Sequence, residues 1–219
     1  MLVKPSTCLG CPLQDKGQGF CPDRHSPSPK ILLVGEAPGK SEIEKGEPFV
    51  GKSGYVLENW LLRAVPLLQI AKEKGHISYM NTLRCLPPEV QGRAYPKGEE
   101  KRLAEAHCRQ YDQIAPTVEV VILFGESPQR CFFAQELDAE DATDRRLGHD
   151  LKGVMGRVGR VYERDGKRWV FAPHPAYILR QPALVTHGQR ALEIATGVDA
   201  VLEPEYVDWT LAMREILAN

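Results

Sequence analysis

The sequence KILLVGEAPG at residues 30–39 joins a short apolar run to a turn that contains glycine and proline. An apolar run of this length that ends at turn residues is typical of a buried strand whose carboxyl end leads into a loop. Ligand sites in open α/β sheets lie at such strand ends. This stretch therefore predicts a central strand and a functional loop directly after it.

Strands and helices alternate on both sides of this stretch. Apolar residues recur at helical spacing between residues 56 and 65, and residues 76–80 and 117–125 have the composition of short buried strands. A helix is predicted at residues 99–115 between those two strands. This alternation favours an α/β fold with a parallel sheet.

The second half of the chain predicts a hairpin and further helices. Residues 158–173 form two strand-like runs around Asp165 and Gly166, a pair typical of tight hairpin turns. Helices are expected at residues 189–202 and 207–217. Residues 1–29 have no helical or alternating pattern, so a bound metal centre is expected to hold them in place.

The composition limits the classes of protein that need to be considered. The chain has 219 residues and 42% hydrophobic content, which suits a single domain over residues 1–219. No apolar run approaches the roughly 18 to 20 residues that cross a bilayer, and the first residues lack the apolar segment of a signal peptide. We therefore expect a cytoplasmic protein with no membrane partner.

The net charge of −1 does not favour nucleic acid, but the charge is unevenly distributed. Residues 145–190 hold ten basic and three acidic side chains, a local balance of +7. Acidic residues between 138 and 144 predict a solvated connection. This pattern predicts a basic face for DNA opposite an acidic face.

Four of the six cysteines could form a metal centre. Cys8 and Cys11 stand in a CxxC pattern, and Cys85 and Cys108 could complete a set of four thiolates. All-sulfur ligation suits zinc or an iron–sulfur cluster. The alternative is that Cys85 and Cys108 are buried apolar residues, which is common for free cysteines.

The other two cysteines are interpreted differently. Cys131 lies beside two phenylalanines, so it is expected to pack in the core. Cys21 is either a fifth possible ligand or a bystander.

Residues 46–53 match the phosphate-binding pattern GxxxxGK[ST], so a nucleotide-binding enzyme is an alternative. Two observations oppose it. The residues before the pattern are polar where a buried strand is required, and Pro48 removes one N–H group that would contact phosphate.

Several motifs, taken in order, resemble family 4, the iron–sulfur uracil-DNA glycosylases. They are the CxxC pair, VGEAPGKSEIEKGEPFVGKSG at residues 34–54, NTLRCLPP at 81–88, Cys108, ILFG at 122–125 and HPAYILR at 174–180. The resemblance implies a 4Fe-4S cluster on Cys8, Cys11, Cys85 and Cys108. It also implies a central, mainly parallel four-stranded sheet flanked by helices, to which the hairpin is added.

The resemblance also implies roles for residues that would contact the base. His174 would donate a hydrogen bond to uracil O2 as negative charge develops on the leaving base. Asn81 would bind the base edge and distinguish uracil from cytosine, and Phe49 would stack on the flipped base.

Other residues would act on the sugar. Glu36, together with the backbone of Ala37, would line the pocket beside the sugar and orient water there. Glu42 is a second candidate for the same role.

Residues after His174 would contact the DNA itself. Tyr177, Ile178 and Leu179 would form an apolar wedge that enters the base stack, and Arg180 would hold a phosphate.

The function implied by the resemblance is a monofunctional glycosylase that hydrolyses uracil from DNA, leaves an abasic site and acts as a monomer. The loop at residues 86–97 and Ile43 depart from the family pattern. A non-catalytic or base-capturing DNA-binding member, or an enzyme for another deaminated base, is therefore the alternative. No insert of the KRRIH type precedes His174, which weighs against base capture.

Overall fold

The computed structural model describes residues 4–90, 93–94, 98–109, 114–147 and 154–197. Its strands are β1 (Ile31–Gly35), β2 (Ile77–Asn81), β3 (Glu89–Val90), β4 (Arg93–Ala94), β5 (Val120–Phe124), β6 (Val161–Arg164) and β7 (Lys167–Ala172). Its α-helices are α1 (Lys40–Lys45), α2 (Lys52–Val56), α3 (Pro66–Glu73), α4 (Gly98–Arg109), α5 (Glu126–Leu147), α6 (Pro175–Arg180) and α7 (Val185–Ala195).

The central sheet has five strands in the order β2-β1-β5-β7-β6. The first four are parallel, and β6 pairs antiparallel with β7 at the edge. The predicted α/β fold, with four parallel strands and a hairpin, is confirmed. The hairpin is part of the sheet, because β7 is the fourth parallel strand. Asp165 and Gly166 both have positive φ, as a tight hairpin turn requires.

Both faces of the sheet are covered by apolar layers. Successive side chains of a strand point to opposite faces, so Ile31 and Leu33 join one buried cluster while Leu32 and Val34 join the other. Residues of α2, α3 and α7 complete the first cluster, and residues of α5 and β7 complete the second. Burial on both faces explains why β1 and β5 consist of continuous apolar residues.

The helix predicted near residues 56–65 is present in an altered form. After α2 the chain continues through a π-helical turn (Leu57–Leu61) and a 3-10 turn (Leu62–Ala64). Pro66 then occupies the first turn of α3, where its missing N–H costs nothing.

The expected acidic connection after residue 137 is wrong, because α5 continues to Leu147 with a kink at Phe133. Two arginines of the segment that is expected to form a basic face pair with acids of α5. Arg157 contacts Asp141, and Arg160 contacts Glu140. These contacts offset the charge of Arg157 and Arg160, whereas Arg180 of the same segment is exposed.

Some expectations extend beyond the described residues. The predicted helix at residues 99–115 is α4, observed to Arg109, and the one at 189–202 begins earlier, as α7. Residues 198–219, including the helix expected at 207–217, lie outside the description. Within the described ranges, no helix has the length and apolar character needed to cross a membrane.

Candidate active site

A cavity of about 330 Å³ lies at the carboxyl ends of the parallel strands, in the size range of small-molecule sites. β1 and β2 end side by side, with Gly35 opposite Asn81, and His174 follows the end of β7. Five of the predicted site residues line this cavity: Ala37, Glu42, Phe49, Asn81 and His174. The sheet topology thus brings together residues that are up to 137 positions apart in the sequence.

The hydrogen bonding of His174 defines the position of its proton. His174 is the N-cap of α6, and its Nδ1 accepts a hydrogen bond of 3.1 Å from the backbone N–H of Ala176. In a neutral imidazole, one ring nitrogen accepts and the other carries the hydrogen. The Nε2 atom therefore carries the hydrogen and is the donor available at the cavity.

The surroundings of His174 favour this neutral form. Burial lowers the pKa of the imidazole, and the nearby Arg180 guanidinium lowers it further against the opposing effect of Glu36 and Glu42. A neutral N–H donor binds more strongly as negative charge develops on its acceptor. It can therefore stabilise an anion that forms during a reaction.

Asn81 is buried and has its side chain free for a ligand. Among the residues that the structure describes, no hydrogen-bond partner of the Asn81 amide is found. A Cβ atom on Gly35 would come within 2.5 Å of Asn81 Oδ1 and 2.7 Å of Phe49 Cζ. A glycine at the end of β1 is therefore what allows both side chains to occupy the cavity wall.

Phe49 is held in an unusual backbone conformation. Its φ of 58° lies in the left-handed region, which is costly for a bulky residue and is found mainly where function requires it. The ring packs against Tyr79 and Phe124, with centroid distances of 6.0 and 6.3 Å. This packing fixes an aromatic side chain on the cavity wall.

Glu42 connects two turns that border the cavity. Its Oε2 accepts the backbone N–H of Gly39 and its Oε1 accepts that of Gly51, each at 2.9 Å. The side chain is buried. Because both carboxylate oxygens are engaged by the backbone, the geometry is that of a structural link.

The same contact explains why residues 46–53 imitate a phosphate-binding loop. Gly51 is the N-cap of α2, and its N–H already binds Glu42 instead of facing a free anion. The loop follows α1, whose C-cap is Gly46, and does not follow a strand. The arrangement therefore does not support the nucleotide-binding alternative.

Glu36 is not among the residues that line this cavity. Its exposed side chain forms an ion pair with Lys101 of α4, and it lines a neighbouring cavity of about 770 Å³. Lys101 also lies 4.0 Å from Glu105, a carboxyl whose pKa is raised by burial. Thr82 donates to the Glu36 carbonyl oxygen at 3.0 Å, so the backbone of Glu36 is fixed while its side chain points to α4.

The predicted DNA-contacting residues divide into two groups on α6. Ile178 is fully buried and belongs to the core, so it does not form part of an exposed wedge in this structure. Leu179 and Arg180 are exposed, and Tyr177 is partly exposed. α6 packs against α2, and Ala176 of α6 lines the cavity.

The four cysteines assigned to the cluster line one apolar cavity. Cys8, Cys11, Cys85 and Cys108 surround a volume of about 230 Å³ and come from the N-terminal segment, the loop after β2, and α4. Among the described parts of the chain, no three His, Cys, Asp or Glu side chains converge closely enough to hold a single metal ion.

The remaining cysteines lie outside this cavity. Cys21 is buried, with its thiol directed at the Pro22 carbonyl oxygen, 3.6 Å away. Cys131 lies on α5, is only partly buried and packs at the edge of the core, in agreement with the expected packing role.

A buried ion pair, not anticipated from the sequence, closes the cysteine cavity. Arg84 contacts both carboxylate oxygens of Asp23 at 2.6–3.1 Å and donates to the Cys108 carbonyl oxygen at 2.8 Å. These contacts join the three segments that carry the cysteines. The position of Arg84 directly before Cys85 was the available sequence signal.

Residues 22–195 match the model of the uracil DNA glycosylase superfamily, and the chain therefore belongs to that superfamily. It is similar to the type-4 uracil-DNA glycosylases of three organisms. The identities are 31% for Archaeoglobus fulgidus, over 81% of each chain, and 29% for Pyrobaculum aerophilum, over 90% of this chain and 93% of the relative. For Thermotoga maritima the identity is 25%, over 79% and 78%. These identities place the chain as a divergent member of family 4 and confirm the resemblance inferred from its motifs.

Proposed function

We propose that this protein is a monofunctional uracil-DNA glycosylase, which hydrolyses the bond between uracil and deoxyribose in DNA and leaves an abasic site. The observation that carries the proposal is the pairing of a neutral His174 donor with a free Asn81 amide in one cavity. The superfamily match and the names of the relatives support it.

The chemistry follows from what each group can do. As the C1′–N1 bond breaks, its electron pair moves onto uracil, and positive charge develops on the sugar. His174 Nε2–H would donate to uracil O2 and stabilise the leaving anion. Water then adds to C1′ and loses a proton, the uracil anion takes up a proton, and the products are the abasic sugar and free uracil. No lysine is required, because no covalent intermediate is formed.

Asn81 would select the base. Its amide N–H can donate to uracil O4, and its carbonyl oxygen can accept from uracil N3–H. Cytosine presents the opposite pattern, an acceptor at N3 and a donor at N4, so an Asn81 amide that keeps this orientation would be mismatched with it at both groups. Mismatched polar groups in a buried pocket are costly, and this cost provides discrimination. Phe49, on the wall of the cavity, would stack on the flipped base.

The two glutamates would contribute differently. We propose that Glu42 fixes the cavity wall, since both its oxygens already accept backbone N–H groups. Glu36 with Ala37 remains the proposed group beside the sugar. In that role the Glu36 carboxylate would have to turn away from Lys101 before it could orient water.

The four cysteines would hold the 4Fe-4S cluster. The all-thiolate donor set suits an iron–sulfur cluster, and the four cysteines line one cavity. The cluster would cross-link the N-terminal segment to the loop after β2 and to α4. Thiolate ligands of this kind are consistent with a reducing, cytoplasmic setting.

The substrate would be uracil-containing DNA, bound by one copy of the chain. Leu179 and Tyr177 would enter the base stack beside the flipped nucleotide, and Arg180 would contact a phosphate. Of the residues expected to contact DNA, Ile178 would instead support α6 from the core.

The test is release of free base from a uracil-containing oligonucleotide by anaerobically purified protein and by two variants, His174→Ala and Asn81→Ala. Each variant should lose about 10²-fold or more of the rate, as is typical when one anion-stabilising donor is removed. His187→Ala and Asn59→Ala are matched controls on exposed positions and should retain the rate.

The outcomes distinguish the alternatives. Release of hypoxanthine or xanthine but not uracil would move the activity to another deaminated base. Stable binding of the oligonucleotide without release of any base would favour a non-catalytic or base-capturing member.

A further inference from the structure

The phosphates beside a flipped nucleotide would need cationic partners close to the cavity. In the segment that is expected to form a basic DNA face, three arginines (Arg157, Arg160 and Arg164) pair with acids of α5. A flipped nucleotide nevertheless carries a phosphate on each side, and phosphate contacts supply most of the affinity of proteins for DNA. Cations at the rim of the cavity would add to the phosphate contact proposed for Arg180.

Two lysines line this cavity, each within a Gly-Lys-Ser tripeptide. Lys40 belongs to Gly39-Lys40-Ser41 and Lys52 to Gly51-Lys52-Ser53, and both tripeptides line the cavity. Both lysines are exposed. Within the described part of the chain, no carboxylate lies within 4.0 Å of either ammonium group, in contrast to the arginines of the hairpin.

The backbone beneath the two lysines is held in place. Glu42 accepts the N–H groups of Gly39 and Gly51, the residues directly before the lysines. A Cβ atom on Gly39 or Gly51 would lie within 2.7 or 2.9 Å of this carboxylate, so the contact depends on glycine. The side chains of the lysines, and not these backbone amides, are the groups that remain available to an anion.

We propose that Lys40 and Lys52, which both line the cavity, bind the two phosphates that flank the flipped nucleotide. The inference rests on the proposed glycosylase function and names residues that deliver its substrate. Glu42 would position both lysines, because its carboxylate binds the backbone N–H of the residue before each of them. A lysine ammonium suits this role because it binds phosphate as a point charge without demanding one orientation.

The test is the salt dependence of DNA binding. Each lysine that contacts a phosphate of duplex DNA contributes about 0.9 to the slope of log K against log salt concentration. We would measure this slope with a duplex that contains 2′-fluoro-2′-deoxyuridine, an analogue that resists hydrolysis. The proteins would be the parent, Lys40→Gln, Lys52→Gln, the double variant and Lys74→Gln. Lys74, an exposed lysine at the end of α3, is the matched control.

We expect the magnitude of the slope to decrease by about 0.9 in each single variant and by about 1.8 in the double variant. Lys74→Gln should retain the parental slope, and all variants should retain the parental unfolding midpoint. Slopes for Lys40→Gln and Lys52→Gln that equal that of Lys74→Gln would overturn the proposal. Uracil release by the parent is measured separately, so failure of the glycosylase function would be seen as no release whatever the slopes are.

Discussion

Replacement of Arg84 by methionine should destabilise the protein far more than loss of an ordinary surface charge. The Arg84 and Asp23 side chains are only 7% and 8% exposed, and the substitution would leave the Asp23 carboxylate buried without its main partner. Removal of one member of a buried ion pair costs about 3–5 kcal/mol. For a chain of this size that corresponds to a fall in Tm of roughly 6–20 °C.

The assay is urea and thermal unfolding of anaerobically purified protein, with the iron content of each sample measured in parallel. Arg102→Met is the control, because Arg102 pairs with Glu99 at 3.1 Å while the two side chains are 76% and 68% exposed. Such a pair is worth about 0–1 kcal/mol. Asp23→Asn combined with Arg84→Met would complete a double-mutant cycle.

Two results would refute the reasoning. One is an Arg84→Met protein that loses no more stability than Arg102→Met. The other is a cycle in which the effects of Arg84→Met and Asp23→Asn simply add, since residues in direct contact should show a coupling energy of about 0.5–3 kcal/mol. Retention of the parental iron content by Arg84→Met would further argue that the ion pair does not shape the cysteine cavity.

The remaining predictions concern the active-site cavity. Glu42→Gln would turn an amide NH2 towards one of the two backbone N–H groups, so it should cost about 1–3 kcal/mol in unfolding free energy, while the exposed Glu44→Gln should cost none. Gly35→Ala should displace Asn81 and slow uracil release, whereas Gly75→Ala, whose Cβ meets nothing within 4 Å, should retain the rate even if its positive φ lowers stability. Because the pKa of His174 is lowered on folding, the unfolded chain binds the proton more tightly, and the parent should lose stability as the pH falls below about 6.5. The His174→Gln variant should lose less stability over the same pH range. If the unfolding free energies of the parent and of this variant depend equally on pH, the lowered pKa of His174 is contradicted.

The parts of the fold that could be predicted are those encoded by local patterns. Residues 30–39 specify β1 and the loop after it, because a strand buried on both faces must consist of continuous apolar residues. The hairpin turn at Asp165 and Gly166 was predictable for the same local reason. The resemblance predicts that Asn81 and His174 lie in one pocket. The parallel order of β2, β1, β5 and β7 explains how the fold brings them there.

The parts that could not be predicted depend on contacts between distant segments. The sequence shows a basic stretch and an acidic stretch, but not that Arg157 and Arg160 fold onto acids of α5. The role of Glu42 was assigned to catalysis because its backbone partners become visible only when the turn at Gly51 is placed beside α1. The orientation of Glu36 towards Lys101 likewise depends on where α4 packs.

The most direct test of the central claim is a single-turnover experiment with the parent protein on two duplexes that differ only in uracil or cytosine at one position. We expect free uracil and an abasic site from the first duplex and no free base from the second, because Asn81 matches only the edge of uracil. Absence of free uracil from protein that binds the duplex and retains iron–sulfur absorption would contradict the proposed function.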